Sequence, residues 1–470
     1  MATPEVPASA AGPPGPRRSL LYNTGAAVLG TGAFHFAQLA LLALLAKRAG
    51  PDVQGVYLLA LAVATPVLLL FGLELRGALV ADATREFSLR SYLALRRVLV
   101  ALAGGVLSLW LLAYAAGGVA PWAVGLAAGV CLYRMAWTLT EVPWGLEQRH
   151  ERLDRLAAST AARGLALLLP PALLLTASPP GLVSAPAAAA LGVGLGAGLS
   201  FLLLLAWDRP RSVSLEPLGV TSAAEIARLA RRALPLGLVA LAVNLCDSVP
   251  RWLVAAHPGG TTHLAHFGSL AYVTLAGNLV ILQAVAAASS RLSASYGLDR
   301  RAFLHLTARL LLGAALLGGG LLLTVAVCGA WLLRTLFRPE YAAFQPEFLI
   351  VAGAHALALL TNVLGSATTL MRRFWLQVPV QGLTLLATVA AGCWLIPGDP
   401  VRGAAQTALV RAVVQFGLYA ACFAGGLRRS PQQRPRGEGA QPPDAERASH
   451  ETISFAGRRG RRGSNPQPPP

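Results

Sequence analysis

The chain has 470 residues, of which 55% are hydrophobic and 13% are charged, and its formal net charge is +18. With a mean hydropathy of +0.57, this composition excludes a soluble globular domain and an intrinsically disordered protein. Such a charge is also found in nucleic-acid-binding proteins, but here the basic residues are spread over loops that flank apolar stretches, so no nucleic-acid partner is expected.

Twelve long apolar stretches follow one another along the chain. Each approaches or exceeds the ~20 residues that a helix needs to cross ~30 Å of hydrocarbon. They are too long and too uniformly apolar for the strands of a membrane barrel. The sequence therefore predicts an all-α polytopic membrane protein with transmembrane helices near residues 21–46, 54–80, 98–117, 121–145, 156–176, 183–207, 233–256, 264–290, 303–331, 347–370, 375–396 and 403–427.

The distribution of basic residues predicts the orientation of these helices. Of the 39 basic residues, 28 lie in the N-terminal tail, in every second gap and in the C-terminal tail, whereas six lie in or beside the other gaps and five lie inside stretches. Cytoplasmic loops carry the Lys/Arg excess. Both termini are therefore predicted to be cytoplasmic, in a multi-pass protein of the cytoplasmic (inner) membrane.

The longest cytoplasmic connection comes after the sixth stretch and divides the chain into two halves. Residues 21–207 are predicted to form an N-terminal six-helix bundle, residues 208–232 a cytoplasmic linker, and residues 233–427 a C-terminal six-helix bundle. Parallel halves of this kind recur in transporters, with the substrate handled between them. Residues 1–20 and 428–470 are predicted to be disordered cytoplasmic termini, since they contain much Pro, Gly and Arg and little to bury.

The connection between the second and third stretches is amphipathic. From Asp82 to Arg97, apolar side chains can face lipid while four arginines reach the headgroups: Arg85, Arg90, Arg96 and Arg97. We therefore expect an interfacial helix here, and anionic lipids as partners of the cytoplasmic loops.

No motif for phosphate cradling, metal binding or nucleophilic catalysis is found. The chain is therefore predicted not to be an enzyme and to need no cofactor and no metal. Four glycines at small-x-x-x-small spacing in the sixth stretch are predicted to mediate helix packing: Gly192, Gly194, Gly196 and Gly198.

Charged residues inside the membrane carry the functional signal. An arginine at a helix centre costs roughly 2.5–3.5 kcal/mol on insertion scales, so such residues usually face a bundle interior or a watery cavity. Arg134 lies about 11 and 13 residues from the ends of its stretch, roughly 16–20 Å from either surface. Arg163 and Arg411 are also too deep to reach headgroups easily.

Acidic residues at depth are fewer than the arginines. They are Asp247, Glu74 and Glu141, which are the candidates for ion coupling. A cavity with this cationic excess suits a diphosphate or an acidic sugar. The alternative is that Arg134 forms a buried structural ion pair with Glu141, seven residues further along the same helix face, or with another acid.

Several short motifs are similar to those of a known family. They are Gly55-Val56-Tyr57, Leu73-Glu74-Leu75-Arg76, Pro235-Leu236-Gly237, Asn244, Pro250-Arg251, Pro339-Glu340-Tyr341, Gly365, Arg372-Arg373, Leu395-Ile396-Pro397 and Gly403-Ala404-Ala405. In order and placement they resemble the polysaccharide flippases of the multidrug/oligosaccharidyl-lipid/polysaccharide (MOP) exporter superfamily. The resemblance covers roughly residues 20–427.

The resemblance implies two six-helix bundles that form a V around a central cavity. It also implies translocation of an undecaprenyl-diphosphate-linked oligosaccharide to the outer leaflet by alternating access, for cell-surface polysaccharide biosynthesis. Polysaccharide polymerase and chain-length machinery would be further partners. Arg76 and Arg251 stand where the family-like motifs carry arginine, and join Arg134, Arg163 and Arg411 as candidate substrate-binding residues. Asp247 departs from the pattern, which leaves the coupling ion open.

Two other functions remain as alternatives. A multidrug/cation antiporter of the same superfamily would be expected to have an acid-rich cavity, against which the arginine excess argues. A membrane-embedded polysaccharide polymerase or ligase would need a sizeable external loop, and the external gaps of this sequence are short.

Overall fold

The computed structural model describes residues 20–82, 84–177, 183–275, 300–371 and 376–428. All regular secondary structure within these ranges is helical. Eleven helical segments of the described residues are long and apolar enough to cross a membrane. The prediction of an all-α polytopic membrane protein is thereby confirmed.

The helices follow the predicted stretches closely. In the first half they are α1 (Leu20–Leu44), α2 (Pro51–Gly72), α3 (Leu75–Ala81), α4 (Leu89–Ala116), α5 (Pro121–Arg149), α6 (Leu153–Ala177), α7 (Ala185–Leu203) and α8 (Arg209–Val213). In the second half they are α9 (Ala223–Ala255), α10 (Gly260–Thr274), α11 (Arg300–Leu336), α12 (Gln345–Leu370), α13 (Gln377–Leu395) and α14 (Pro400–Arg428). One-turn π-helical segments extend α1 over Leu45–Ala49 and α7 over Leu204–Asp208.

Some predicted segments fall partly outside the described residues. The eighth stretch, 264–290, begins within α10, but its continuation from residue 276 lies outside them, as do nearly all of the two termini predicted to be disordered. The two six-helix bundles and the linker remain a prediction.

The second stretch is not one continuous helix. Leu73 and Glu74 both have φ of 49°, a left-handed conformation that ends α2 and starts the short α3. Side-chain crowding disfavours this conformation for residues other than glycine, so two in succession make a sharp break. The break carries Arg76 on α3 rather than on the end of α2.

The predicted interfacial helix is the first part of a spanning helix. Ser88 caps α4, its hydroxyl accepting from the Ser91 N–H at 3.3 Å, and α4 then continues to Ala116 without a break. The expectation that Arg96 reaches the headgroups is wrong. Its side chain is 1% exposed and forms an ion pair with Glu141 at 3.1 Å.

The long connection before the seventh span is ordered where it meets α4. The Arg90 N–H donates to the Leu218 carbonyl at 2.8 Å, and the Ser88 N–H donates to Glu225 at 2.7 Å. Ser222 caps α9, a single helix of 33 residues that contains both the end of the predicted linker and the seventh span.

Small residues bring α6 and α7 together, as predicted for two of the four glycines. A β-carbon at Gly192 would lie 2.5 Å from the Pro171 Cα, and one at Gly196 would lie 2.6 Å from the Ala166 carbonyl oxygen. A β-carbon at Gly194 or Gly198 would meet no atom within 4 Å among the described residues.

Candidate functional site: a central arginine-lined cavity

A cavity of about 550 Å³ lies between the two halves of the chain. Helices α1, α2, α3, α5 and α6 line it from the first half, and α9, α10, α12 and α14 line it from the second. This is the place where transporters built from two halves handle their substrate.

Two arginines, one from each half, face this cavity and form no ion pair with a described residue. Arg134 comes from the middle of α5 and Arg251 from α9, one residue after Pro250. Both side chains are half-buried, and the Nε of each is buried without a hydrogen-bond partner. In the part of the chain that the structure describes, neither guanidinium forms an ion pair. The alternative ion pair between Arg134 and Glu141 does not form, because Glu141 pairs with Arg96.

Arg411 also lines the cavity, but its charge is balanced. Its guanidinium on α14 contacts the Asp247 carboxylate on α9 in a hydrogen-bonded ion pair. Pro250 lies three residues after Asp247 within α9, and because proline has no N–H, it leaves the carbonyl of Cys246 without its helical donor. Of the three residues predicted to couple an ion, Asp247 is the one that the structure places in the cavity.

Arg76 reaches the cavity from the short helix α3. Its Nη2 and Nε donate to the Gln148 side-chain carbonyl at 2.9 and 3.1 Å. Its guanidinium lies 5.9 Å from the centre of the Trp144 ring, within the range of a cation–π contact. The break after α2 is what turns this residue toward the cavity edge.

Arg163 does not line the cavity, contrary to the prediction. Its side chain is 0% exposed, and its Nη2 lies 2.7 Å from Asp208, which is equally buried. Its Nη1 donates to the Ser200 carbonyl at 2.9 Å. The prediction failed because Asp208 was assigned to the linker, whereas the π-helical turn after α7 carries its carboxylate back into the bundle. Arg163 and Asp208 therefore form a buried structural pair.

Glu74 and Glu141 are absent from the cavity lining in the described residues. Glu74 is exposed at the left-handed break before α3. Glu141 is held by Arg96. Their role in ion coupling remains a prediction without support from their position.

The prediction missed several uncharged polar and aromatic residues of the cavity. They are His35, Gln38, Trp137, Thr160, Tyr272, His355 and Gln415. The available signal was that polar side chains inside apolar stretches usually face a bundle interior. That rule was applied only to charged residues.

The charge of the cavity is strongly positive. Among the described residues, four guanidinium groups and a single carboxylate line it, a formal excess of three positive charges. Inside a cavity between helices these groups interact with an anion more strongly than they would at the fully solvated surface. The cavity is therefore suited to an anion with several oxygens, because guanidinium binds carboxylate and phosphate in a bidentate manner.

One end of the cavity is closed by contacts between the two halves. Gln54, which is fully buried, donates to Ser269 at 2.8 Å and accepts from the Tyr341 hydroxyl at 2.6 Å. Asp52 accepts from Thr261 at 3.1 Å. Asp52, Gln54 and Tyr341 lie at or beside helix ends that the basic-residue pattern assigns to the external side. With that orientation, the arrangement is closed toward the outside.

No protein-family model and no curated protein matches the sequence. Several solved structures share its fold. The lipid II flippase MurJ, in an inward closed conformation, matches with a TM-score of 0.65 and 11% identity over 88% of each chain. An inward-facing multidrug resistance MATE family transporter of the MOP superfamily matches with a TM-score of 0.63 and 14% identity, over 86% of this chain and all of its own. A MOP superfamily transporter from Pyrococcus furiosus gives a TM-score of 0.59 and 12% identity, over 87% and 94% of the two chains.

At these identities the comparisons establish the fold. The chain has the fold shared by MOP superfamily transporters and the lipid II flippase. The narrower polysaccharide flippase family that the motifs resemble stays a prediction.

Proposed function

We propose that this protein is a flippase of the cytoplasmic membrane that moves a polyprenyl-diphosphate-linked oligosaccharide from the inner to the outer leaflet. The observation that carries the proposal is the pair of arginines outside any ion pair of the described residues, Arg134 and Arg251, in a cavity between the two halves. Holding an unpaired charge as deep in the membrane as Arg134 is costly, and an anionic cargo offsets the cost. The likeness to MurJ and to MATE transporters supports a transport function in general.

A diphosphate fits this cavity chemically. Its oxygens can accept from Arg134 on one side and Arg251 on the other, so the same ligand would bridge the two halves. The half-buried ring of Trp137 offers a surface on which a sugar ring can pack. The lipid tail would remain in the surrounding bilayer. No bond of the cargo is made or broken in this process.

Alternating access supplies the mechanism. In the present arrangement the external end is closed by Gln54, Ser269 and Tyr341, and the cargo would enter from the cytoplasmic side. Opening outward requires these contacts to break and the cytoplasmic contacts to form. Because Arg134 and Arg251 lie on different halves, the bound cargo would pull the halves together during this change.

A multidrug/cation antiporter is the second candidate, favoured by the likeness to the MATE transporter. A cation carrier needs an available carboxylate, but Asp247, the one acid of the described lining, is paired with Arg411. For the Pyrococcus furiosus transporter, a reversed polarity of the binding pocket has been taken to suggest a different function. The positive cavity of this chain favours an anionic cargo.

The experiment replaces Arg134 or Arg251 by alanine and measures glycan export in cells depleted of the native protein. Each removes charge-assisted hydrogen bonds, so we expect export to fall about tenfold or more. Arg228→Ala, at an exposed position of α9 outside the cavity, is the matched control. Normal export by both cavity variants at wild-type protein levels would contradict the proposal.

Locating the lipid-linked glycan then separates the candidates. After depletion, we expect it to accumulate in the inner leaflet. Short chains already present in the outer leaflet would indicate a polymerase or ligase instead. Unchanged glycan distribution, together with increased sensitivity to cationic drugs, would indicate the antiporter.

A further inference from the structure

A second cavity, of about 510 Å³, lies away from the central one, at the cytoplasmic ends of α4 and α7. We call it the α4–α8 groove. Its lining combines three arginines, Arg90, Arg97 and Arg209, with apolar side chains of α4, α8 and the linker. We infer that this groove binds the phosphate headgroup of an anionic phospholipid of the inner leaflet.

Two helical stripes form the walls of the groove. On α4, Arg90, Ala94 and Arg97 recur at intervals of three or four residues and so share one face of the helix. On the opposite wall, Leu205 and Arg209 follow the same spacing across the π-turn into α8. Each wall therefore combines guanidinium groups with apolar side chains.

The third wall is the linker, which is fixed against α4. The Leu218 carbonyl accepts from the Arg90 N–H at 2.8 Å, and the hydroxyls of Ser91 and Thr221 are hydrogen-bonded to each other. The groove is thus formed by the folded chain before any ligand binds. A preformed site loses less conformational freedom on binding.

The arginines of the groove differ from their neighbours in having no acidic partner. Nearby, Arg85 and Arg149 both pair with Glu216, and Arg232 pairs with Glu86. By contrast, the side chains of the groove arginines form no ion pair and no hydrogen bond within the described part of the chain. These are Arg90, Arg97 and Arg209. No acid is found among the described residues of the lining, so positive charge is concentrated in the groove, whereas the neighbouring arginines are neutralised by Glu216 and Glu86.

The apolar side of the groove continues onto the membrane-facing surface. Along α4 the stripe extends to Val98 and Leu102, which are 55% and 53% exposed. Along α7 it extends from Leu205 back to Leu202 and Leu199, which are also exposed. Between these helices lies α5, which packs against both. An acyl chain can follow this path while its phosphate stays among the arginines.

Charge and position together select the occupant. A phosphate satisfies the arginines, as guanidinium groups bind its oxygens in pairs. Clusters of basic residues at the cytoplasmic end of membrane helices attract anionic lipids at about 1 kcal/mol per residue. A soluble phosphate would use the arginines but leave the exposed leucines uncovered. The combination therefore favours a phospholipid over a free anion.

The test measures lipid binding to the full-length protein in detergent by native mass spectrometry, with phosphatidylglycerol and phosphatidylcholine of identical acyl chains. We expect tighter binding of phosphatidylglycerol. Replacing Arg90 and Arg97 together by glutamine should weaken it about 30-fold, since each basic residue contributes about a factor of five. Arg209→Gln, on the opposite wall, should weaken it about fivefold by the same reasoning.

Two matched variants make the result specific. Arg228→Gln with Arg231→Gln removes the same charge from exposed positions of α9 outside the groove, and should leave the affinity unchanged. Replacing Arg90 and Arg97 by lysine keeps the charge but loses the paired hydrogen bonds, so its affinity for phosphatidylglycerol should lie between those of the wild-type protein and the glutamine variant.

Four results would overturn the inference. They are equal binding of the two lipids, undiminished phosphatidylglycerol binding by the Arg90/Arg97 glutamine variant, an equal loss in the α9 control, and displacement of the lipid by millimolar inorganic phosphate. Preferential binding of a polyprenyl diphosphate in the groove would overturn it too, because the groove would then be a cargo site.

Discussion

The buried pair of Arg163 and Asp208 allows a quantitative test of its structural role. Both side chains are 0% exposed and their charged atoms lie 2.7 Å apart. Removing one partner of a buried pair typically costs about 3–5 kcal/mol, since the other charge is left uncompensated. Arg163→Met also leaves the Ser200 carbonyl without the donor it has at 2.9 Å. We therefore expect this single variant to lose about 3–5 kcal/mol of stability.

The double variant Arg163→Met with Asp208→Leu provides the contrast. Replacing a whole buried ion pair by apolar residues is often neutral or stabilising. We expect the double variant to lie within about 1–2 kcal/mol of the wild-type protein, so that the two substitutions show strong energetic coupling. The assay is thermal or denaturant unfolding of the purified protein in detergent, with glycan export measured in parallel. Arg228→Met, at an exposed position, is the control.

The outcome distinguishes a structural arginine from a cargo-binding one. If Arg163 only neutralises Asp208, the double variant regains both stability and export. If Arg163→Met is as stable as the wild-type protein, the expected loss of about 3–5 kcal/mol from breaking the buried pair is refuted. Loss of export in a fully stable double variant would return Arg163 to the set of substrate-binding residues.

Three further predictions follow from the packing. Gly192→Leu should destabilise the protein or prevent its accumulation, because the new β-carbon would collide with Pro171. Gly194→Leu, at an open position, should be tolerated in the same thermal unfolding assay. Gln54→Leu removes two buried hydrogen bonds at the external closure, and at about 0.6–1.7 kcal/mol each this should shift the protein measurably toward the outward-open state. Spin labels across that closure should report longer distances; unchanged distances would show that these bonds do not hold the end closed. Arg96→Met should destabilise the protein in the same unfolding assay because Glu141 loses its partner, and a variant as stable as wild type would show that Arg96 reaches solvent instead.

Much of the architecture could be predicted from the sequence, because a helix that crosses the bilayer needs about 20 consecutive, mostly apolar residues. Helix length and apolar composition are local properties, so eleven of the twelve predicted spans correspond to helices of the described residues. The breaks were not accessible. Two successive left-handed residues at Leu73 and Glu74, and the π-turn before Arg209, contain no glycine that would mark them in the sequence.

The partners of the deep arginines were likewise beyond the sequence. Depth along a helix identified Arg134, Arg163 and Arg411 as charges that must be accommodated. Depth carries no information on which helix faces which. Arg411 meets Asp247 across 164 residues of chain, and Arg163 meets Asp208 across 45.

The sequence by itself determined that this protein is a helical membrane protein with deep arginines, because hydrophobicity and insertion cost are set residue by residue. Only the tertiary structure decided which of those charges are neutralised and which remain available. Neutralisation depends on atoms being brought within a few ångströms of each other by packing of distant helices. In the described residues that packing pairs Arg163 with Asp208 and Arg411 with Asp247. It leaves Arg134 and Arg251 facing the central cavity from opposite halves.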